Sequence, residues 1–145
     1  MRDYTKIKAW VLADDLTVEI YKATKSFPKD EMYALTSQIR RAAYSVPANI
    51  VEGSSRSSQK DYLHFLYIAR GSLSETRYFV HLSNRLGYMG TEQTHQLTKQ
   101  AEEASKTLVG LIRAVEKEVS PVSRTIAKIA SLFVLSIGST VVSSL

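Results

Sequence analysis

The chain has 145 residues, 44% hydrophobic and 23% charged, which is typical of one globular domain large enough to bury its own core. It contains no cysteine, which excludes disulfide bonds, cysteine-ligated zinc fingers and thiol nucleophiles. Nineteen Lys and Arg against fourteen Asp and Glu give a net charge of +5, a modest excess that suits an acidic partner such as nucleic acid or an anionic membrane face. The polar N-terminus lacks the apolar run of a signal peptide, so we expect a cytoplasmic protein.

Apolar residues recur at alternating steps of three and four along four segments, which is the spacing of a buried face on an α-helix. No comparable segment alternates with period two, so a β-sheet is not expected. The predicted core positions are Ala9, Ala13, Leu16, Ile20 and Ala23; Met32, Leu35, Ile39, Ala42, Val46 and Ile50; Tyr62, Leu66, Ala69, Leu73, Thr76 and Val80; and Leu97, Ala101, Ala104, Leu108, Leu111, Val115 and Val119.

The residues between these segments are typical of helix ends. Residues 27–31 are expected to begin the second helix, with Pro28 in the first turn and acidic side chains at the positive end of the dipole. Ser58 and Asp61 are spaced as a capping box for the third helix, and residues 87–91 are expected to end it and begin the fourth. Because such short connections return the chain alongside itself, the sequence predicts an all-α, antiparallel up-down-up-down four-helix bundle over residues 1–119.

Pro47 lies inside the second apolar segment. A proline in a helix removes one backbone hydrogen bond, so a kink is predicted near Tyr44 and Ser45. The alternative is that the helix ends before Pro47 and a new helix begins there.

The histidines do not form a metal-binding pattern. His64, His81 and His95 are not three or four residues apart from one another, and metal sites in bundles need Glu-x-x-His motifs on facing helices. Glu92 and His95 form a single such motif without a partner, which indicates an ordinary surface position. We therefore expect no metal site and no cofactor.

Two glycine-containing stretches lack the features of catalytic loops. Residues 71–75 end in Glu where a nucleophile elbow has Gly, and they lie within a predicted helix rather than in a strand-to-helix turn. Residues 53–56 lack the Gly-Lys-Ser/Thr of a phosphate-binding loop. Gly71 and Ser72 are expected instead to let two helices approach closely. The sequence thus predicts no catalytic residues and no enzymatic activity.

Distinctive motifs follow one another in order between Phe27 and Glu75: the pair Phe27-Pro28 and the segments 35–43, 45–53 and 65–75. With these motifs, residues 5 to 119 resemble the family of four-helix-bundle proteins encoded in 23S rRNA intervening sequences, which includes the accessory variability protein of diversity-generating retroelements. The chain departs from the family at Tyr44, where a small aliphatic residue is usual, and after Ser120, where family members typically end.

The resemblance implies a homopentameric, barrel-like assembly with a central channel and no known enzymatic activity. For the retroelement branch it implies binding to a reverse transcriptase and, through a basic surface, to nucleic acid; for the ribosomal branch it implies no defined role. The residues themselves also indicate an oligomer, because the first helix carries more apolar side chains than one buried stripe needs. These additional side chains are Ile7, Trp10, Val11 and Val18.

A group of polar residues surrounds Pro47 and extends to the third helix. This polar cluster consists of Gln38, Arg40, Arg41, Asn49, Glu52 and Glu75. A structural interpretation is that the cluster satisfies the carbonyls freed by Pro47 and pairs Arg40 or Arg41 with one of the two glutamates in a neighbouring helix or subunit. The alternative is that these residues bind a ligand directly.

A second group is basic, and we call it the basic face: Arg56, Lys60, Arg70, Arg77 and Arg85. Its last three members are seven and eight residues apart and so share one side of the third helix. Such a stripe suits successive phosphates, and no groove-reading motif is present, so the predicted nucleic-acid binding is insensitive to sequence. The alternative is a solvated face paired with acidic residues of the fourth helix.

Residues 120–145 differ in composition from the rest and have no charged side chain from Ile129 onward. A helix over these last seventeen residues would be roughly 26 Å long, close to the thickness of a bilayer core. One prediction is a membrane anchor over residues 126–145, in which the Lys128 side chain snorkels to the interface. Arg124 and Lys128 lie just before the uncharged run, which places the bundle on the cytoplasmic side of the inner membrane. The alternative is an additional helix that packs on the bundle or fills the channel of the ring.

Two functions from different classes follow. The first is a non-enzymatic homopentameric scaffold or adaptor that binds the backbone of RNA or DNA and a protein partner such as a reverse transcriptase. The second is a membrane-anchored oligomeric scaffold, with pore formation through its C-terminal tail as a further option.

Overall fold

The computed structural model describes residues 2–120 and Thr125. These residues form four α-helices and no strand: α1 Lys8–Ala23, α2 Leu35–Ser54, α3 Gln59–Arg85 and α4 Thr91–Val119. Short 3-10 helices cover Tyr4–Lys6, Thr24–Ser26 and Lys29–Tyr33. The predicted all-α four-helix fold is confirmed.

The predictions for the apolar tail lie outside the described residues, apart from Ser120 and Thr125. They include both the membrane anchor and the additional packed helix. Within the described part of the chain, no helix combines the length and the apolar character needed to cross a bilayer.

The helices pack in a closed square, in which α1 and α3 each contact both α2 and α4. Near the start of α3, the side chain of Gln59 donates to Glu118 at the end of α4. Further along α3, Arg77 lies 3.8 Å from Glu102 in the middle of α4. Residues further along α3 therefore contact residues nearer the start of α4, as expected for antiparallel helices.

The interior of the square holds nearly all of the predicted core positions. The exceptions are Met32, which is exposed, and Leu111 and Val119, which are half-buried. In α4 the buried position is Ile112 rather than Leu111, because the buried stripe steps by four from Leu108 before it steps by three to Val115.

The second helix begins later than its sequence indicates. Residues 29–33 form the 3-10 helix, and α2 starts only at Leu35, after Ala34 adopts non-helical backbone angles. The amide of Leu35 donates to Oε2 of Glu31 at 3.0 Å, so that carboxylate caps the helix. Met32 precedes this cap and therefore does not reach the core.

The ends of α3 follow the predicted signals. Oγ of Ser58 accepts from the amide of Asp61 at 3.0 Å, which confirms the capping interaction. At the other end Gly87 has φ of 74°, and the amide of Tyr88 donates to the carbonyl of Ser83 at 2.9 Å. This left-handed glycine with a six-to-one hydrogen bond is the Schellman arrangement that ends a helix.

Helix α2 continues through Pro47 to Ser54, so the alternative of a helix break is wrong. Pro47 has no amide proton to donate to the carbonyl of Ala43. That carbonyl is instead 3.0 Å from Oγ1 of Thr17 on α1. The freed acceptor is therefore served by a threonine outside the predicted polar cluster.

The close approach of two helices occurs at Gly53, not at Gly71. A Cβ atom on Gly53 would lie 2.8 Å from Cβ of Phe65 and 3.0 Å from Cδ2 of Tyr62, both on α3. A Cβ atom on Gly71 would meet nothing within 4 Å. Gly53 is thus the residue that lets α2 and α3 meet.

Candidate nucleic-acid interface

All five residues of the basic face are exposed. Arg70, Arg77 and Arg85 lie along α3, with Lys60 in its first turn, while Arg56 belongs to the connection between α2 and α3. The helix thus places its three arginines on one side, as their spacing predicts, and Lys60 and Arg56 near its start.

Three of these arginines are held by neighbouring side chains. Arg56 pairs with Glu52 one turn earlier, and the guanidinium of Arg70 lies 5.0 Å from the ring centroid of Tyr67. Arg77 faces Glu102 of α4 at 3.8 Å, with both side chains about half exposed. An exposed pair at this distance contributes about 0–1 kcal/mol, so Arg77 remains available to a stronger anion.

A groove of about 380 Å³ lies between α3 and α4 beside Arg77. Its lining offers hydroxyl, imidazole and guanidinium groups and no carboxylate. The lining residues are Ser74, Arg77, Tyr78, His81, Thr94 and Thr98. The hydroxyls of Ser74 and Thr94 donate to the carbonyls of Arg70 and Gly90 on their own helices. The groups that can donate to phosphate and sugar oxygens are therefore those of the other lining residues, with Arg77 as the cation among them.

Tyr78 and His81 belong to this surface, although the basic pattern did not indicate them. They lie one and four residues after Arg77, and both are exposed. The available signal is that His81 lies four residues after Arg77 and Tyr78 lies four residues after Ser74, because residues three and four apart share a helix face. Thr94 and Thr98 carry no such signal, since their place in the groove depends on how α4 packs against α3.

Another exposed tyrosine on α3, Tyr67, is bound to α4. Its hydroxyl donates to the carboxylate of Glu116. This hydrogen bond raises the pKa of the Tyr67 hydroxyl. Tyr67 therefore supports Arg70 with its ring while its hydroxyl connects the two helices.

The polar cluster is arranged differently from its predicted pairing. Nε of Arg40 donates to Oγ1 of Thr24 at 2.8 Å, and its guanidinium lies 4.8 Å from the ring centroid of Tyr21. Arg40 thus pairs with groups at the end of α1 rather than with a glutamate of α2 or α3.

The remaining members of the cluster are separate from Arg40. Glu52 pairs with Arg56, and the side-chain amide of Asn49 donates to the carbonyl of Ser45 at 2.7 Å. Gln38, Arg41 and Glu75 are exposed. The structure therefore does not bring the six residues into one cluster, and a pairing across subunits stays a prediction.

Residues 2–120 and Thr125 contain no group of three or more His, Asp or Glu side chains close enough to hold a metal ion.

Comparison with known proteins gives one family and a related fold. The sequence pattern of the 23S rRNA-intervening sequence protein matches residues 5–110. The chain is also similar to the crystal structure of a protein with unknown function from the S23 ribosomal protein family from Bacteroides thetaiotaomicron VPI-5482. The two are 26% identical with a TM-score of 0.67, over 72% of this chain and 95% of the other. No curated protein matched the chain.

Proposed function

The chain belongs to the family of 23S rRNA-intervening sequence proteins, and we propose that it is a cytoplasmic, non-enzymatic scaffold that binds the backbone of RNA or DNA through its basic face. The observation that carries this proposal is the groove beside Arg77, whose lining is polar and uncharged apart from the arginine, with Glu102 as the nearby carboxylate in a weak pair with it. Backbone contacts of this kind give affinity without sequence preference.

The spacing of the arginines suits a phosphate backbone. Arg70 and Arg77 are seven residues apart on α3, a separation of about 10.5 Å along the helix axis. A duplex strand advances about 3.4 Å per nucleotide along its axis and winds round that axis, so a straight stripe of this length reaches separate phosphates rather than a continuous run of them. The two guanidinium groups can therefore contact two different phosphates at once.

The pair between Arg77 and Glu102 is weak, which favours phosphate binding by Arg77 over the alternative in which α4 carboxylates keep the basic face neutralised. A phosphate that receives two hydrogen bonds from a guanidinium offers a stronger interaction than a single contact at 3.8 Å. Glu102 is itself half exposed and regains water when the pair opens. Exchange of this carboxylate for a phosphate is therefore favourable at low salt.

The proposed scaffold is a closed homopentamer, with a protein partner such as a reverse transcriptase. Val11 and Val18 support an interface on α1, because both are exposed apolar side chains. Ile7 and Trp10 pack against the core of their own chain and are not needed for such an interface. The number of five subunits and the partner rest on the family resemblance.

Charge reversal tests the binding surface. The double variant Arg70→Glu/Arg77→Glu should abolish retention of RNA and DNA in a gel-shift assay and leave the mass of the oligomer unchanged. Lys99→Glu/Lys106→Glu is the matched control, because these lysines are also seven residues apart and exposed, on α4. Undiminished retention by the arginine variant at low salt, or equal loss by the lysine variant, would overturn the proposal.

A further inference from the structure

A second groove lies away from the basic face, between the end of α1 and the first half of α2. Its volume is about 290 Å³, and it continues into a smaller groove of about 180 Å³ that adds Lys25 and Lys29. Neither lining contains a carboxylate. The lining residues that matter here are Tyr21, Tyr33, Thr36, Arg40, Arg41 and Tyr44, and we call this surface the tyrosine–arginine groove.

Thr36 is an unusual residue in this groove. It lines both parts, it is only 6% exposed, and its Oγ1 has no hydrogen-bond partner. A buried hydroxyl without a partner costs free energy, and native proteins rarely leave one. Thr36 is the second residue of α2 and lies one turn before Arg40, so this covered hydroxyl lies beneath the floor of the groove, next to the arginine that lines it.

Arg40 is held in one orientation. Its Nε is engaged with Thr24 at 2.8 Å, and its guanidinium lies 4.8 Å from the ring centroid of Tyr21. A guanidinium carries five N–H groups, so the terminal nitrogens still offer donors to a ligand. Arg41 is exposed beside it and adds a second positive charge.

Two glutamates on the elements that border the groove are occupied with other partners. Glu31 accepts from the amide of Leu35 at 3.0 Å and from the hydroxyl of Tyr88 at 3.1 Å. Glu19 pairs with Lys22 at 2.7 Å. The positive charge of the tyrosine–arginine groove is therefore not neutralised by these carboxylates.

The same groove exposes aromatic rings. Tyr33 is 92% exposed, and Tyr21 and Tyr44 are 40% and 46% exposed. Rings beside arginines are the combination with which proteins bind single-stranded nucleic acid, because bases stack on the rings while cations contact phosphates. A duplex keeps its bases stacked inside and offers no free base to a tyrosine.

We propose that the tyrosine–arginine groove binds a single-stranded segment of nucleic acid. One phosphate contacts Arg40 and Arg41, and a neighbouring base stacks on Tyr33 or Tyr44. This inference rests on the proposed function, to which it adds a second contact surface with a preference for single strands.

The test compares two probes on the full chain: a fluorescent twelve-nucleotide uridine strand and a twelve-base-pair RNA duplex. The variant Tyr33→Ala/Arg41→Gln should weaken binding of the single strand by about tenfold or more and change duplex binding less than about twofold. Both substitutions are at exposed positions, so the fold is preserved. Arg113→Gln, at an exposed position on α4, is the control and should leave both affinities unchanged.

A cross-linking experiment locates the strand directly. A strand that carries 5-iodouracil, irradiated in complex with the protein, should become attached to the peptide that contains Tyr33 or Tyr44. Attachment that is confined to peptides of α3 would overturn the inference while leaving the basic face as a binding surface.

Other results would also overturn it. If Tyr33→Ala/Arg41→Gln weakens the binding of single strand and duplex equally, the effect is a general loss of positive charge. Loss in Arg41→Gln alone, with Tyr33→Ala unchanged, would show a simple phosphate site without stacking. A change of oligomer mass in light scattering would show that a second copy of the chain occupies the groove.

These results are separable from failure of the proposed function. The basic-face variant Arg70→Glu/Arg77→Glu should lose the duplex and retain residual binding of the single strand. If the variants of both surfaces bind both probes as the wild type does, both proposals fail. If only the basic-face variant changes binding, the groove proposal alone fails.

Discussion

The hydroxyl oxygen of Thr17 lies 3.0 Å from the carbonyl oxygen of Ala43, the acceptor that Pro47 leaves without its amide partner. The same hydroxyl is 2.8 Å from the carbonyl of Ala13 on its own helix. One donor therefore connects α1 to the point where the hydrogen bonding of α2 is interrupted. The freed carbonyl of a helix that continues through a proline thus has a donor from the neighbouring helix.

Loss of the Thr17 hydroxyl should destabilise the fold, and the effect should depend on Pro47. Thr17→Val should lower the free energy of unfolding by about 1 kcal/mol, because the buried carbonyl of Ala43 loses its donor. In a Pro47→Ala background the new amide serves that carbonyl, so the same substitution should cost less, with a coupling of about 0.5 kcal/mol or more. Urea unfolding of the four proteins at one concentration measures both values, and equal costs in the two backgrounds would contradict the assignment.

Gly53 and Gly71 should respond in opposite directions to alanine. Gly53→Ala should lower the free energy of unfolding by about 1–3 kcal/mol, because its Cβ would press against Cβ of Phe65, which cannot move without its helix. Gly71→Ala is the matched control and should be neutral or stabilising by up to about 1 kcal/mol, since its Cβ meets nothing and alanine favours a helix. Thermal unfolding that changes in the same direction for both would contradict the close approach at Gly53.

Tyr88 should make the stability of the fold sensitive to alkaline pH. Its hydrogen bond to Glu31 raises the pKa of the Tyr88 hydroxyl, with burial as the second cause. The neutral phenol is the donor, so the bond is fully present below the pKa of an unfolded tyrosine, about 10. It is lost as pH rises through the higher pKa of the folded state. The stability difference between the wild type and Tyr88→Phe should therefore be constant from pH 7 to 9 and shrink above it, and a difference that grows with pH would be contrary to this account.

The assembly should depend on the exposed apolar residues of α1. Light scattering at micromolar concentration should give five times the mass of one chain, and Val18→Asp should lower that mass. Leu86→Asp, at the end of α3, is the control because Leu86 is 48% exposed and Val18 is 47% exposed. A wild-type mass of one chain would rule out the proposed ring.

The bundle could be predicted from sequence because each helix carries its own three-and-four spacing. The errors occur where the spacing is ambiguous: Leu111 and Ile112 are adjacent apolar residues, and only the packing of α4 selects the second. Met32 continues the apolar pattern of α2, but the cap at Leu35 depends on the carboxylate of Glu31, which the pattern does not distinguish from other acidic residues.

The surfaces could be predicted only where one helix contains all of their residues. The prediction that Arg70 and Arg77 share one side of α3 follows from their seven-residue spacing within a single helix. The groove that adds Thr94 and Thr98 requires the register between α3 and α4, which no pattern within either helix supplies. The contact of Thr17 with α2 could not be predicted for the same reason, because nothing in the sequence distinguishes Thr17 from any other threonine in a helix.

The salt dependence of duplex binding tests the central claim, that Arg70 and Arg77 contact phosphates. The association constant for a DNA duplex should fall linearly with salt concentration on logarithmic axes. In the neutral variant Arg70→Gln/Arg77→Gln the slope should be smaller in magnitude by about two, because each lost phosphate contact releases about one counterion fewer. A variant slope equal to that of the wild type would contradict the account, because it would show that these arginines do not contact the backbone.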